Sequence, residues 1–339
     1  MKKKIALITG ISGQDGAYLA KFLLNKNYKV IGSDRRSSRG NLWRLKELNI
    51  EKNIIIEDLD LLEINNIYTI FNKYSFDEVY NLAAQSFVES SFKNPIYTAD
   101  VTGISPLRIL EVIKTFKKKP KFYQASSSEM YGNSNSKHQN EKTRFNPQSP
   151  YAISKLFAHM SAKNYRDGYG LFVVSGILFN HESPLRAEHF VTRKITKGLS
   201  KIARGELDFI EVGNIYSKRD WGFAGDYVEA MWKMMQQKKP EDFVIATGET
   251  HTVKDFIDIA VKYFNLETKW KGNGLNEFLV DKSNNKKIIK ISKKYFRPSD
   301  VNYLKGDYSK AKRILKWKPK TNFKDLVKIM CEAENKNFN

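Results

Sequence analysis

Tyr151 and Lys155 stand four residues apart, so on a helix the phenol and the ammonium share one face. A lysine in that place depresses the tyrosine's pKa, and the phenolate takes an alcohol proton while hydride leaves the same carbon. Upstream, an apolar run ends in Ser126-Ser127-Ser128-Glu129. Ser127 is placed to hydrogen-bond the reacting oxygen. Glu129 adds more than an oxidation needs: once the alcohol is a ketone the neighbouring C–H is acidic, and a carboxylate removes that proton and helps expel a β-hydroxyl as water. A third group opens the chain, the turn Thr9-Gly10-Ile11-Ser12-Gly13-Gln14-Asp15-Gly16, whose glycines are three apart. Lying after a strand and before a helix, it lets a pyrophosphate approach backbone N–H groups at a helix N-terminus.

The elements needed to position these groups follow from the apolar periodicity. Strands are expected at residues 4–9, 29–33, 53–57, 78–82 and 121–125, with helices at 14–26, 64–73 and 97–115 between them. A helix at 151–169 and an apolar run at 171–178 follow. Alternating strands and helices with right-handed crossovers make an α/β fold, a doubly wound parallel sheet of Rossmann type. Ligands then lie beyond the carboxyl ends of the strands, where Ser127 and Glu129 fall. Residues 1–180 are expected to form the dinucleotide-binding domain and 181–339 a smaller mixed α/β substrate domain, with the chain free to cross between them. In the second part, helical patterns recur at 190–204, 226–237, 253–264 and 324–334, a short strand at 243–246, and an exposed loop or hairpin at 281–294.

At the end of the second expected strand stand Asp34, Arg35 and Arg36. A carboxylate there accepts hydrogen bonds from a free ribose diol, and guanidiniums pair with a 2'-phosphate. The balance favours NADP, with NAD left open by Asp34. Asp58, near the end of the third strand, is a candidate for adenine or for capping the next helix.

Composition narrows the classes. The chain has 339 residues, 41% hydrophobic and 13% aromatic, as expected of a folded protein. A formal net charge of +21 raises nucleic acid as a partner, but the basic residues are scattered and carry no binding module, so none is expected. Such a field also attracts a phosphorylated small molecule. No run of 18 apolar residues predicts a membrane span, and the single cysteine, Cys331, fits the cytoplasm.

Taken together with Tyr80-Asn81-Leu82-Ala83-Ala84-Gln85-Ser86, Tyr123 to Glu129, Ser149-Pro150-Tyr151-Ala152, Gly176 to Pro184, Phe190-Val191-Thr192-Arg193-Lys194 and Arg219-Asp220-Trp221-Gly222, these motifs resemble the GDP-mannose 4,6-dehydratase family of extended short-chain dehydrogenases/reductases. The resemblance runs over nearly the whole chain. It implies Ser127 in the place of a catalytic threonine, Glu129 as acid/base, Tyr151 as base for the sugar 4-OH and Lys155 as its electrostatic partner. Gly10, Ser12, Gly13, Gln14, Asp15, Gly16, Arg35, Arg36, Asp58, Leu59, Leu82, Ala83, Ala84, Gln85, Ser86, Tyr97, Lys155, His181 and Arg186 would hold the cofactor. Ser86, Asn180, Val191, Lys194, Asn214, Arg219 and Arg297 would grip the sugar nucleotide. No metal is implied. The implied reaction oxidises C4, removes the C5 proton and the C6 hydroxyl, and returns hydride to C6. A homo-oligomer, dimer or tetramer, is expected, with residues 35–44 reaching a neighbour's cofactor site.

Several positions depart from the family pattern: Phe87 in place of histidine, Thr102 in place of aspartate, Leu185, Ala187 and Ser127. Phe87 and Ser127 alter the sugar pocket, which keeps GDP-D-glycero-D-manno-heptose open as the alternative substrate beside GDP-mannose. A sugar-nucleotide epimerase, decarboxylase or 4-reductase on the same fold is the remaining rival.

Overall fold

The computed structural model describes residues 3–35, 40–296, 301 and 303–336. Its centre is a seven-stranded sheet. The first six strands are β1 Ile5–Thr9, β2 Lys29–Asp34, β3 Ile55–Asp58, β4 Glu78–Asn81, β5 Lys121–Ser127 and β6 Val173–Leu178. In space the order is Phe243–Ile245, β6, β5, β4, β1, β2, β3, every pair parallel. The order reverses beside β1, and there the carboxyl ends of β1 and β4 diverge into a crevice, the place where doubly wound sheets bind ligands. Strands β4, β5 and β6 are buried almost throughout because helices cover both faces, so that polar members such as Glu78, Asn81, Gln124 and Ser175 are buried together with the apolar ones.

The turn after β1 needs its glycines. Gly10 has φ +70°, and a Cβ there would lie 2.9 Å from the Ala83 backbone. A Cβ on Gly16 would come within 2.4 Å of the Gly10 carbonyl oxygen. Gly13 caps helix α1, Gln14–Asn25, without a side-chain hydrogen bond, which leaves the first-turn amides to face the crevice. Thr9 fixes the opposite wall: its hydroxyl donates to Asn81 Oδ1 at 2.8 Å and accepts from the Leu82 and Ala83 amides.

The long helix Pro150–Tyr169 starts where Ser149 Oγ accepts the Ala152 amide and Pro150 takes the first turn; it ends at Gly170 in the left-handed region. The helix expected at 97–115 is three joined pieces, Pro95–Thr98, a π-helical turn at Ala99–Ile104 and Ser105–Thr115. Periodicity alone does not reveal such a wide turn. Four segments of the second half, Thr268–Lys271, Phe278–Asp281, Lys287–Ile291 and Ile210–Val212, form a separate mixed sheet that the sequence pattern does not predict. The lysine-rich stretch at 281–294 is thus a hairpin whose second strand buries Ile288 and Ile289 against Leu279, Leu326 and Val327.

Asp220 ties three segments of the second half together. Its buried carboxylate accepts from the Thr247 amide and hydroxyl, the Gly248 amide and the Gly306 amide, at 2.6–3.1 Å. Burial pushes its pKa up to about 6, while the four donors pull it down.

Candidate active site

The crevice opens into a cleft of about 740 Å³ between the carboxyl edge of the main sheet and the second half of the chain. Of the expected catalytic groups, Ser127, Glu129, Tyr151 and Lys155 all line it. Ser127 ends β5 and caps a short turn by accepting the Glu129 amide at 3.2 Å, which orients Glu129 into the cleft. The long helix supplies Tyr151 and Lys155 from its first two turns. Lys155 is 5.8 Å from the centre of the Tyr151 ring and donates to the Ala125 carbonyl at 2.8 Å.

The electrostatics differ from the expectation on one point. The pKa of the phenol is raised, not depressed. Burial pushes Tyr151 up to about 12, the Ser127 hydroxyl bonded to it pulls down, and the nearby Glu129 charge raises it again. Burial also pulls Lys155 down to about 8. The protein's own groups therefore hold Tyr151 as a phenol at neutral pH. The expectation failed because the i, i+4 spacing sets proximity but says nothing of the desolvation that a closed cleft imposes.

The dinucleotide wall contains Gly10, Gly13, Gln14, Asp15, Gly16, Leu82, Ala84, Ser86, His181 and Arg186 along the cleft. His181 is held between two acceptors, the Phe179 carbonyl on Nδ1 and Asp15 Oδ2 on Nε2, both at 2.7 Å. Burial works against its charge, but the carboxylate wins and raises its pKa; Asp15 is pulled down to about 2 despite burial, chiefly by that imidazolium. Gln14 Nε2 donates to the His181 carbonyl at 3.1 Å, and Ser183 Oγ donates to Gln14 Oε1 at 2.7 Å. The glycine-rich turn is thereby tied to the strand Asn180–Glu182.

Other expected cofactor residues lie elsewhere. Leu59 is buried in the core with Ile31 and Ile67, so its side chain does not reach the cleft. Ala83 is turned to Thr9, and Gln85 spends its side chain on Phe87 and Thr98. Thr102, in the place of the family aspartate, accepts the Gln85 amide at 3.0 Å. Ser12 donates to Asp34 Oδ1 at 3.1 Å beneath the turn. Arg35 reaches the half-exposed Tyr97 hydroxyl at 3.4 Å, outside the cleft. Asp58 sits beside Asp34 in the β2–β3 register; it does not cap the helix Ile64–Lys73, whose cap is Glu63. Arg36 falls outside the described residues.

On the substrate side, Ser86, Asn180, Val191, Lys194, Asn214 and Arg219 line the cleft, and Arg297 falls outside the described residues. Lys194 Nζ lies 3.4 Å from the centre of the Tyr295 ring. Asn180 Oδ1 is buried with no hydrogen-bond partner among the described residues, an acceptor aimed into the cleft for a ligand donor. Sequence reasoning missed several lining groups. Ser126, also in the wall, is paired with buried His159 at 3.0 Å. His189 and Phe190 pack edge-on against Phe87, at 4.4 and 5.6 Å between ring centres, and Arg186 lies 3.6 Å over Phe190. The unusual Phe87 was a signal for this aromatic wall; Tyr295, lost among lysines, gave none.

Comparison with known proteins agrees with this geometry. The model of the family described as GDP-mannose 4,6 dehydratase matches residues 7–330. The GDP-mannose 4,6 dehydratase of Drosophila melanogaster is 47% identical over 98% of this chain and 86% of its own length, and GDP-mannose 4,6 dehydratase 1 of Arabidopsis thaliana is 48% identical over 98% and 90%. The crystal structure of a UDP-glucose 4-epimerase from Thermotoga maritima with UDP-glucose superposes with a TM-score of 0.83 at 25% identity, covering 99% of this chain and 100% of that one. With its Ser-x-Glu turn, its Tyr and Lys on one helix and this degree of likeness over its full span, the chain belongs to the GDP-mannose 4,6-dehydratase family.

Proposed function

We propose that the chain is a nucleotide-sugar 4,6-dehydratase that converts GDP-mannose to GDP-4-dehydro-6-deoxy-mannose, with NADP as its resident dinucleotide. The observation that carries the reading is the convergence of Ser127, Glu129, Tyr151 and Lys155 on one wall of a cleft whose other end is the glycine-rich turn. A nucleotide-sugar epimerase needs no second acid/base beside the tyrosine, so Glu129 favours dehydration.

The residues fit a nicotinamide dinucleotide. Glycine backbone lines the turn, and the first-turn amides of α1 are open to an anion. Gln14, Asp15, Gly16, His181 and Arg186 would hold the group, and Arg35 beside Asp34 supports the 2'-phosphate form. When bound, the nicotinamide supplies a hydride acceptor that is also a hydride donor.

The chain's own groups do the proton work. Tyr151 would take the proton of the 4-OH in its phenolate form, after its own phenolic proton has passed to solvent, with Ser127 bonded to the same oxygen. Glu129 then removes the proton from C5, acidified by the new carbonyl, and delivers it to the departing 6-OH, so that water leaves with the electrons of the C5–H bond forming the C5=C6 bond. Lys194 and Arg219 suit the diphosphate, and Asn214 and Val191 the sugar and base. Residues 1–180 would serve the dinucleotide and 181–339 mainly the sugar nucleotide, in a cytoplasmic homo-oligomer, a dimer or tetramer, whose loop 35–44 meets a neighbour.

Mass spectrometry after parallel incubation with GDP-mannose and GDP-manno-heptose tests the reading: GDP-mannose should lose about 18 Da, the one water that acid/base elimination releases. An unchanged mass would point to epimerisation, and loss of water from the heptose alone would move the substrate assignment.

A further inference from the structure

Arg44 is buried, 8% exposed, at the end of a segment expected to face a neighbouring subunit. It turns inward instead. Nε donates to the Leu185 carbonyl at 2.7 Å and Nη1 to the Ser12 carbonyl at 2.8 Å. The Trp43 ring covers the guanidinium, 4.3 Å from its centre. One fork thus holds the glycine-rich turn to the segment that presents Arg186 to the cleft.

The charges around it do not balance. Arg186 pairs with Glu182 and Arg193 with Glu334, at 3.1 and 2.9 Å, whereas no carboxylate among the described residues lies within ion-pair distance of Arg44. Burial, with repulsion from Arg186 and Arg193, pulls its pKa down to about 10; only Asp15, itself paired with His181, works the other way. At neutral pH Arg44 remains a cation. A buried charge is costly unless something compensates it, and here the open amides of α1 stand on the same turn whose carbonyl it grips.

We infer that Arg44 is a positioning residue for the pyrophosphate of the bound dinucleotide, fixing the spacing between the glycine-rich turn and residues 183–186 and adding positive potential beneath them. The inference rests on the dinucleotide reading above. It assigns no contact with the reacting atoms, so its mark is on affinity rather than on chemistry.

NADPH binding to the whole protein, followed by cofactor fluorescence, and kcat at saturating cofactor separate the possibilities for wild type, Arg44→Met and Arg44→Lys. The methionine variant should bind NADPH about 10- to 100-fold more weakly, the scale of lost hydrogen bonds to a charged group, with a smaller loss in kcat. The lysine variant, cationic but able to reach only one carbonyl well, should fall between. Affinity within about twofold of wild type in the methionine variant, or parallel losses of affinity and kcat, overturns the inference. If Arg44→Met does not fold, Arg44→Lys decides by the same two criteria. Wild-type protein that binds neither NADPH nor NADH would refute the cofactor reading instead.

Discussion

Replacing Lys155 with methionine should disable the protein and at the same time stabilise it. The ammonium is 5% exposed, and burial takes its pKa from the ordinary 10.5 down to about 8. At 1.36 kcal/mol per pKa unit, keeping the proton there costs about 3 kcal/mol wherever both folded and unfolded lysines are charged, that is below pH 8. The hydrogen bond to Ala125 returns about 1 kcal/mol, so methionine, of similar length and uncharged, should gain about 2 kcal/mol at pH 7. For 339 residues at about 2.1 cal/mol/K each, that is a rise of about 3 °C in melting temperature. The sign with pH follows from linkage. Between pH 8 and 10.5 the unfolded lysine binds the proton and the folded one does not, so wild-type stability climbs through that window and the advantage of the variant shrinks. Differential scanning calorimetry of both proteins at pH 7 and pH 9.5, with an activity assay, measures all of this. A variant less stable than wild type at pH 7, or a gap that does not narrow with pH, would refute the reasoning about the buried cation.

Glu129→Gln should lower dehydration by about 10²- to 10⁴-fold while leaving NADPH affinity unchanged, read by product mass and fluorescence titration; undiminished water loss removes Glu129 from the mechanism. Asp15→Asn should cost about 2 kcal/mol at pH 7, since the depressed carboxylate contributes stability above its ordinary pKa of 3.8 that is lost as pH falls through about 2. The raised pKa of His181 adds stability present below 6.5 and lost as pH rises past its folded value, so the cost of that variant should also shrink as pH rises above 6.5. Gly10→Ala forces φ +70° on a residue with a Cβ 2.9 Å from Ala83 and should cost about 1–3 kcal/mol in denaturant titration. Light scattering after size exclusion should show a dimer or tetramer; a monomer alone would contradict the oligomer proposal.

Much of the first half could be read in the sequence because its parallel strands are built on short apolar cores, such as Ile5-Ala6-Leu7-Ile8 and Val30-Ile31, that alternate with helical patterns. The helix at 64–73 has the bounds its periodicity gives, and the Ser149-Pro150 start of the long helix Pro150–Tyr169 is local chemistry. The second half was harder to read. Strands as short as Lys218–Arg219 and Trp221–Phe223 have no period to detect, and they exist because partners distant in the chain offer hydrogen bonds. The gathering of Ser127, Glu129, Tyr151 and Lys155 in one cleft was legible from spacing and motif, but not their protonation: the high pKa of Tyr151 comes from its burial. Arg44 looked like one more basic residue in a basic chain, and nothing in its neighbours signalled burial.

The account depends above all on Glu129 and Tyr151 acting on the same sugar ring. Incubating the protein with GDP-mannose in D2O and locating deuterium in the product by NMR tests this most directly. If Glu129 sends the C5 proton out with the water, C5 must be reprotonated from solvent, and the product should have lost one water and carry a single deuterium, at C5. A dehydrated product with ordinary hydrogen at C5, or deuterium entering with no loss of water, would contradict it.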